Sequence, residues 1–232
     1  MKWGVSSAIK KMNTYTLLIQ MAAPLQSWGA DSKFDTRRTC KEPTKSGTIG
    51  LVAAALGIKR DEDDKIKDLA SLRFGVRVDK EGTPLNDFHV MKAEDVKDPF
   101  ISNRHYLQDA VFIAALESEN EELLEKINDA LKNPAFPIFL GRRSCPPAKK
   151  LALGIFHGTI EENFKTFPVS EQGASNVRVI IDTESGSTIR DMPISFNPAN
   201  RKHGFRCFTE YMLPVCKNKV IDHDPMSQLT DL

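Results

Sequence analysis

Apolar and polar positions follow two periods along the chain, and the switches between them mark its elements. Tyr15 to Met21 is a run of aliphatic and β-branched residues, the pattern of a buried strand. A polar, proline-bounded loop occupies 24–43. Ser46 to Leu56 then reads as a helix with Ile49, Leu51, Val52, Ala55 and Leu56 on its apolar face. Thr44 or Ser46 can cap it, and Gly57 is placed to end it in a left-handed conformation. Asp61 to Asp68 is an acidic short helix or loop. Leu72 to Asp79 alternates as a strand does, with Arg73 and Arg77 on one face.

Residues 80–103 carry Gly82, Pro84 and Pro99 and little apolar periodicity, which predicts a long excursion shaped as an extended hairpin. Loops of that length are uncommon in compact domains and are often functional. Tyr106 to Leu116 is read as the next strand. Glu119 to Leu131 is an acidic amphipathic helix with Leu123, Leu124, Ile127 and Leu131 inward, and Ala135 to Leu140 is a strand ending at Gly141. The order β, α, β, insertion, β, α, β predicts an α+β chain built on the split βαβ of the ferredoxin-like fold, which RNA-recognition modules also use. After Pro146-Pro147 the chain offers short strands at Ala152–Phe156, Asn176–Asp182 and Arg206–Leu213. The expected division is a disordered extension over 1–12, a main domain over 13–147 and a smaller β-rich lobe over 148–232.

Composition narrows the class. Of 232 residues, 41% are hydrophobic and 27% charged, as in ordinary soluble domains, and no stretch approaches the apolar length of a membrane helix. The first residues lack the apolar run of a secretory signal, so the four cysteines are expected as reduced thiols in the cytoplasm. A net charge of +1 excludes an indiscriminate coat for nucleic acid, yet the charge is sorted. Lys33, Arg37, Arg38, Lys41 and Lys45 form one basic segment, and Lys132, Arg142, Arg143, Lys149 and Lys150 a second. Arg201, Lys202 and Arg206 form a third around His203. Convergence of these segments would make a phosphate-binding groove, with the acidic elements facing elsewhere.

Local geometry favours that use. Glu-Pro-Thr-Lys-Ser-Gly-Thr-Ile-Gly (42–50) sets Thr44, Lys45, Ser46 and Gly47 at a helix N-terminus, where free N–H groups and the dipole suit a phosphate. The order of Lys and Ser excludes a Walker A loop, and the Gly47-Thr-Ile-Gly50 match to KH domains is too short to carry weight. Gly-Arg-Arg-Ser-Cys-Pro-Pro (141–147) offers arginine forks on a loop stiffened by prolines. Trp28 and Tyr106 supply faces for stacking on unpaired bases, with a buried core role for Trp28 as the alternative. No metal site or cofactor is expected: His203, Cys207, Cys216 and His223 lack the close cysteine pair of structural zinc. Gly204-Phe205 departs from the RNP1 motif at the following positions.

Six ordered motifs add a family resemblance. Leu-Gln-Ser-Trp-Gly (25–29), Arg-Arg-Thr (37–39), Pro-Thr-Lys-Ser-Gly (43–47), Ala-Ala-Leu-Gly-Ile (54–58), Tyr-Leu-x-Asp-Ala-x-Phe (106–112) and Leu-Gly-Arg-Arg-Ser-Cys-x-Pro (140–147) resemble the Cas-five family, the RAMP subunits of type I-E CRISPR Cascade complexes. The likeness covers Tyr15 to Pro147 and extends loosely beyond. It implies a modified RNA-recognition fold with the 80–103 insertion as a thumb-like hairpin. It further implies a subunit that grips the 5′ handle of CRISPR RNA, caps the foot of the complex, and contacts the CasC backbone and the large CasA subunit. Target DNA is then met only through the complex, and no membrane is involved. Handle contacts carried over by motif are Trp28, Arg37, Arg38, Lys45, Ser46, Gly47, Arg104, Tyr106, Arg142, Arg143 and Ser144.

Relatives in type I-C systems cut precursor RNA without metal by attack of a 2′-hydroxyl on the adjacent phosphate. His105, between Arg104 and Tyr106, is the candidate group for such an endoribonuclease, with Tyr106 beside it and His203 as another imidazole. The type I-E resemblance implies no catalytic residue, because a separate subunit cuts in those systems.

Overall fold

Leu17, Ile19 and Met21 alternate with Leu18 along β1 (Tyr15–Ala22), and all four are fully buried, because both faces of this strand are covered. The computed structural model describes residues 13–29, 36–92, 100–169 and 175–215. Residues 1–12 lie outside the described residues. After β1 come β2 (Leu25–Gln26), β3 (Thr36–Arg37), α1 (Lys45–Ala55), α2 (Asp63–Ala70) and β4 (Arg73–Lys80). The hairpin β5 (Thr83–Met91) and β6 (Phe100–Gln108) precedes β7 (Val111–Ser118) and α3 (Glu121–Lys132). The chain closes with β8 (Ala152–His157), α4 (Ile160–Thr166), β9 (Asn176–Ser195) and β10 (Lys202–Pro214).

The architecture is mixed α+β with mostly antiparallel pairing. One sheet has the order β10-β9-β4-β7-β1-β8, every neighbouring pair antiparallel. On one face Leu17, Ile19, Phe74, Phe112 and Ala114 pack with Ile49 and Val52 of α1 and Leu124 and Ile127 of α3. On the other, Leu18, Ile113, Val179 and Ile181 pack with Ile160 and Phe164 of α4. Alternation at period two sorts the two sets. Burial of a Leu, Ile or Phe side chain contributes about 1.5–3 kcal/mol, so these layers carry the fold.

Both long expected helices form with their expected signals. Thr44 Oγ1 accepts the Gly47 N–H and begins α1, and Gly57, with φ of 74°, follows its C-terminus. Asn120 caps α3, which buries Leu124, Ile127 and Leu131. The hairpin is also present: β5 and β6 pair antiparallel from Thr83–Gln108 to Met91–Phe100, and Phe88, Val90 and Ile101 are exposed on it.

Three expectations need correction. Tyr106–Leu116 is two strands, because the chain turns at Asp109, which adopts φ of 55°; Asp tolerates that region better than most side chains. Ala135–Leu140 is not a strand. Its N–H groups at Ala135 and Phe136 donate instead to Ala55 and Ala54 at the end of α1, and Pro134 and Pro137 have none to offer a ladder. The strand that pairs with β1 on its other side is β8, antiparallel. Finally, β8, β9 and β10 from the 148–232 segment continue the main sheet, and Val177, Val179 and Ile181 share its core.

Candidate nucleic-acid interface

Three segments far apart in sequence meet at one cleft of about 230 Å³. Strand β3 and the residue after it supply Arg37 and Arg38, the loop after Leu140 supplies Arg142, and the turn before β10 supplies Arg201. Ser27, Gly29, Thr44, Ser46 and Gly47 complete much of the wall, and among the described residues no carboxylate lines it. Each of the three basic segments in the sequence therefore contributes to the cleft. Among the described residues, none of these four arginines forms an ion pair with Asp or Glu. Guanidinium groups remain charged at any physiological pH, so their repulsion is relieved by an anion entering the cleft.

Arg142 is the most constrained of the four. Its guanidinium carbon sits 4.6 Å from the centre of the Tyr106 ring, and Nη2 donates to the Arg37 carbonyl at 2.6 Å. Its Nη1 is buried with no hydrogen-bond partner among the described residues, a costly state for a charged group's donor. The loop reaches this position by passing tightly over Ser27. Gly141 has φ of 94°, and a Cβ there would lie 1.7 Å from the Ser27 carbonyl oxygen. Leu140 N–H donates to Cys145 O and Cys145 N–H to Arg142 O, closing the turn. Burial pushes the Cys145 thiol above its usual range, which keeps it protonated.

The first turn of α1 differs from its expected role. Lys45 is 2% exposed, and its Nζ reaches Asp182 at 2.8 Å. Desolvation holds its pKa below the ordinary lysine value, against the pull of Asp182. The Lys45 backbone N–H donates to Asp191 Oδ2 at 2.8 Å, and Thr44 takes the Gly47 N–H. An anion does occupy this helix N-terminus, and it is the protein's own carboxylate. Arg206, the inner member of the third basic segment, forks onto Asp191 through Nε and Nη2 and reaches Asp182 through Nη1. Burial opposes its charge, but the two carboxylates raise its pKa above the ordinary value. Lys45 and Arg206 are thus structural cations.

Other candidates sort by burial. Trp28 is 1% exposed and donates its indole N–H to Gln26, so it supports α1 from below and offers no stacking face. Gly47 is small because of it: a Cβ there would lie 3.0 Å from the Trp28 ring. Gly50 faces Phe196, but a Cβ there would meet its ring at an ordinary 3.7 Å, so close packing requires the glycine only at Gly47. Tyr106 is 3% exposed beneath Arg142, its hydroxyl 3.4 Å from Ser144. Arg143 and Ser144 are exposed but outside the cleft wall. Arg104 stands beside Arg37 through the parallel β3–β6 pairing, and its Nε is buried with no hydrogen-bond partner among the described residues. Arg201 belonged to a recognised basic segment but had no motif to single it out. Cys216 and His223 lie outside the described residues, and among those described no cluster of metal ligands occurs.

The family model described as CRISPR-associated protein (Cas_Cas5) matches residues 16–209. The chain belongs to this Cas-five family. A curated relative, the CRISPR system Cascade subunit CasD of Escherichia coli (strain K12), is 34% identical over 161 residues, 62% of this chain and 71% of its own length. A solved structure described as "Crystal structure of Cas protein" is 37% identical and has a TM-score of 0.72 over 88% of this chain and 98% of that one. A chain of a "CRISPR RNA-guided surveillance complex" is 29% identical, with a TM-score of 0.71 over 86% of this chain and 90% of its own. All four clefted arginines fall within the matched Cas-five residues.

Proposed function

We propose that this Cas-five chain is a non-catalytic subunit of a Cascade-type surveillance complex that holds the 5′ handle of CRISPR RNA and caps the foot of the assembly. The observation that carries this reading is the convergence of Arg37, Arg38, Arg142 and Arg201 on one cleft whose described lining holds no carboxylate. A bent single strand can present several phosphates to such a cluster, whereas one small anion cannot neutralise four cations. Similarity to a Cascade subunit and to a chain of an RNA-guided complex supports the assembly role.

On this reading the strands β8-β1-β7-β4 with α1 and α3 are the ferredoxin-like RAMP core, and the β5–β6 hairpin is its thumb. The exposed Phe88, Val90 and Ile101 on that hairpin suit a neighbouring subunit such as CasC, with CasA as the other protein contact. Target DNA is met only through the complex, in the cytoplasm; among the described residues no helix is long and apolar enough to cross a membrane. The test is reconstitution with labelled CRISPR RNA and cross-linking. Handle nucleotides should cross-link to the segments bearing Arg37 and Arg142; cross-links confined to other subunits would leave a protein-binding adaptor.

The endoribonuclease alternative fits the site less well. His105 and Tyr106 are neighbours in β6, so their side chains leave opposite faces of the strand. Tyr106 is also buried under Arg142. Incubation of the purified chain with repeat RNA in EDTA tests this directly, and specific cleavage lost in His105→Ala would overturn the non-catalytic reading.

A further inference from the structure

Arg201 reaches the cleft from a loop between two long strands, and two anchors hold that arm against α1. Asp191 of β9 receives the Lys45 N–H at the start of the helix and is itself clamped by Arg206 of β10. Further along, Phe196 follows β9 and rests on α1 at Gly50, where a Cβ would approach its ring within 3.7 Å. Its ring also neighbours His203, at a centroid distance of 6.4 Å, so both strands of the arm are tied at this level. The same first turn of α1 that holds Asp191 contributes Thr44, Ser46 and Gly47 to the cleft wall.

We infer that Asp191 and Phe196 are positioning residues of the RNA site: they fix the β9–β10 arm to α1 so that Arg201 closes the cleft opposite Arg37, Arg38 and Arg142. This rests on the cleft's being the RNA site. Neither residue need touch RNA. The arm is joined to the rest of the sheet through β9 alone, since β10 pairs only with β9 in the sheet order. Beyond Asp182 the two strands no longer lie beside β4, whose pairing with β9 spans Arg178 to Ile181. Placement of the outer arm therefore relies on contacts other than the sheet: β9 packs against α2, Arg206 lies over Phe74 of β4, and Asp191 and Phe196 anchor the end that carries Arg201 to α1. Asp191 does this with a charge-assisted bond to a helix N-terminus, and Phe196 with an apolar contact.

The experiment measures binding of fluorescein-labelled repeat RNA to the full chain across a salt series, with thermal melting of each variant. Arg201→Ala should weaken binding roughly tenfold and make the log–log salt slope shallower by about 0.7, the signature of one lost phosphate contact on a single strand. Asp191→Asn and, separately, Phe196→Ala should reproduce much of that loss and the change in slope. Each should add little in the Arg201→Ala background, because both act through Arg201. Phe196→Ala leaves the buried ion network intact, so it decides the matter if Asp191→Asn does not fold. Losses that add in full to Arg201→Ala, or no loss in a folded variant, would overturn the positioning role. If Arg37→Ala and Arg142→Ala also bind as the parent does, the RNA-site reading fails with it; if those two weaken binding while the anchors do not, only the positioning role falls.

Discussion

The Asp191 carboxylate accepts the backbone N–H of Lys45 at 2.8 Å, joining the start of α1 to a strand 146 residues later. A basic, capped helix N-terminus near a cluster of arginines suits an external phosphate. Here the position is filled from within, and the Lys45 side chain is buried on Asp182. The cleft proposed to take an external anion lies beside it, among arginines that form no ion pair with the described carboxylates.

Lys45 should therefore matter for stability and little for RNA. Lys45→Ala leaves Asp182 with Arg206 as its remaining ion-pair partner and is expected to cost about 3 kcal/mol, as when one member of a buried pair is removed. Urea denaturation measures that loss. The salt slope of RNA binding by the folded variant should equal the parent's, and a slope shallower by one contact would return Lys45 to the site.

Arg142 and Arg143 should separate. Arg142→Ala removes the ring contact with Tyr106, the bond to the Arg37 carbonyl and a cation of the cleft wall, and should weaken RNA binding by about 1–3 kcal/mol. Arg143→Ala, outside the cleft wall, should change it by less than about 0.5 kcal/mol. Arg142→Lys should behave much like the alanine variant, since an ammonium cannot both stack and fork. Equal effects from the two neighbours in a titration would contradict the geometry.

Gly141→Ala should disable the loop. The added methyl collides with the Ser27 carbonyl, and φ of 94° is unfavourable for an L side chain. A loss above about 2 kcal/mol in denaturant, or a displaced Arg142 with weakened RNA binding, is the expected outcome. A variant that is as stable and binds as tightly as the parent would contradict the close approach.

His203 should make the arm sensitive to acid. Burial, then the nearby charges of Arg201 and Arg190, hold its pKa below the ordinary histidine value. Because the folded value is depressed, the unfolded chain binds the proton first. Stability is therefore complete above about pH 6.5 and falls as the pH drops toward the folded value, below which the loss is complete. Thermal melts from about pH 7.5 to 5.5 should show a smaller acid shift in His203→Gln than in the parent. Arg201→Ala should raise the His203 midpoint in an NMR titration, and an unchanged midpoint would place Arg201 away from it.

Much of the fold was legible because its signals are local. The Thr44 cap, the Gly57 stop and the apolar stripe of α3 each rest on residues within a few positions of one another. The misplaced strand at Ala135–Leu140 shows the limit: its apolar content is that of a strand, but Pro134, Pro137 and the open carbonyls of α1 decide its hydrogen bonds. Each of the three basic segments visible in the charge distribution places at least one arginine on the cleft wall. Which cations are free was not legible. Lys45 and Arg206 differ from Arg37 and Arg201 only through Asp182 and Asp191, and nothing in the sequence around Lys45 announces carboxylates 137 and 146 positions away.

The central claim is that four arginines from three segments bind the phosphates of one RNA strand together. Its most direct test is the salt dependence of repeat-RNA binding to the full chain, for the parent and for single alanine variants of Arg37, Arg38, Arg142 and Arg201. Each substitution should make the log–log slope shallower by about 0.7, and all four together by about 3. Slopes that stay at the parent value in all four variants would contradict the account.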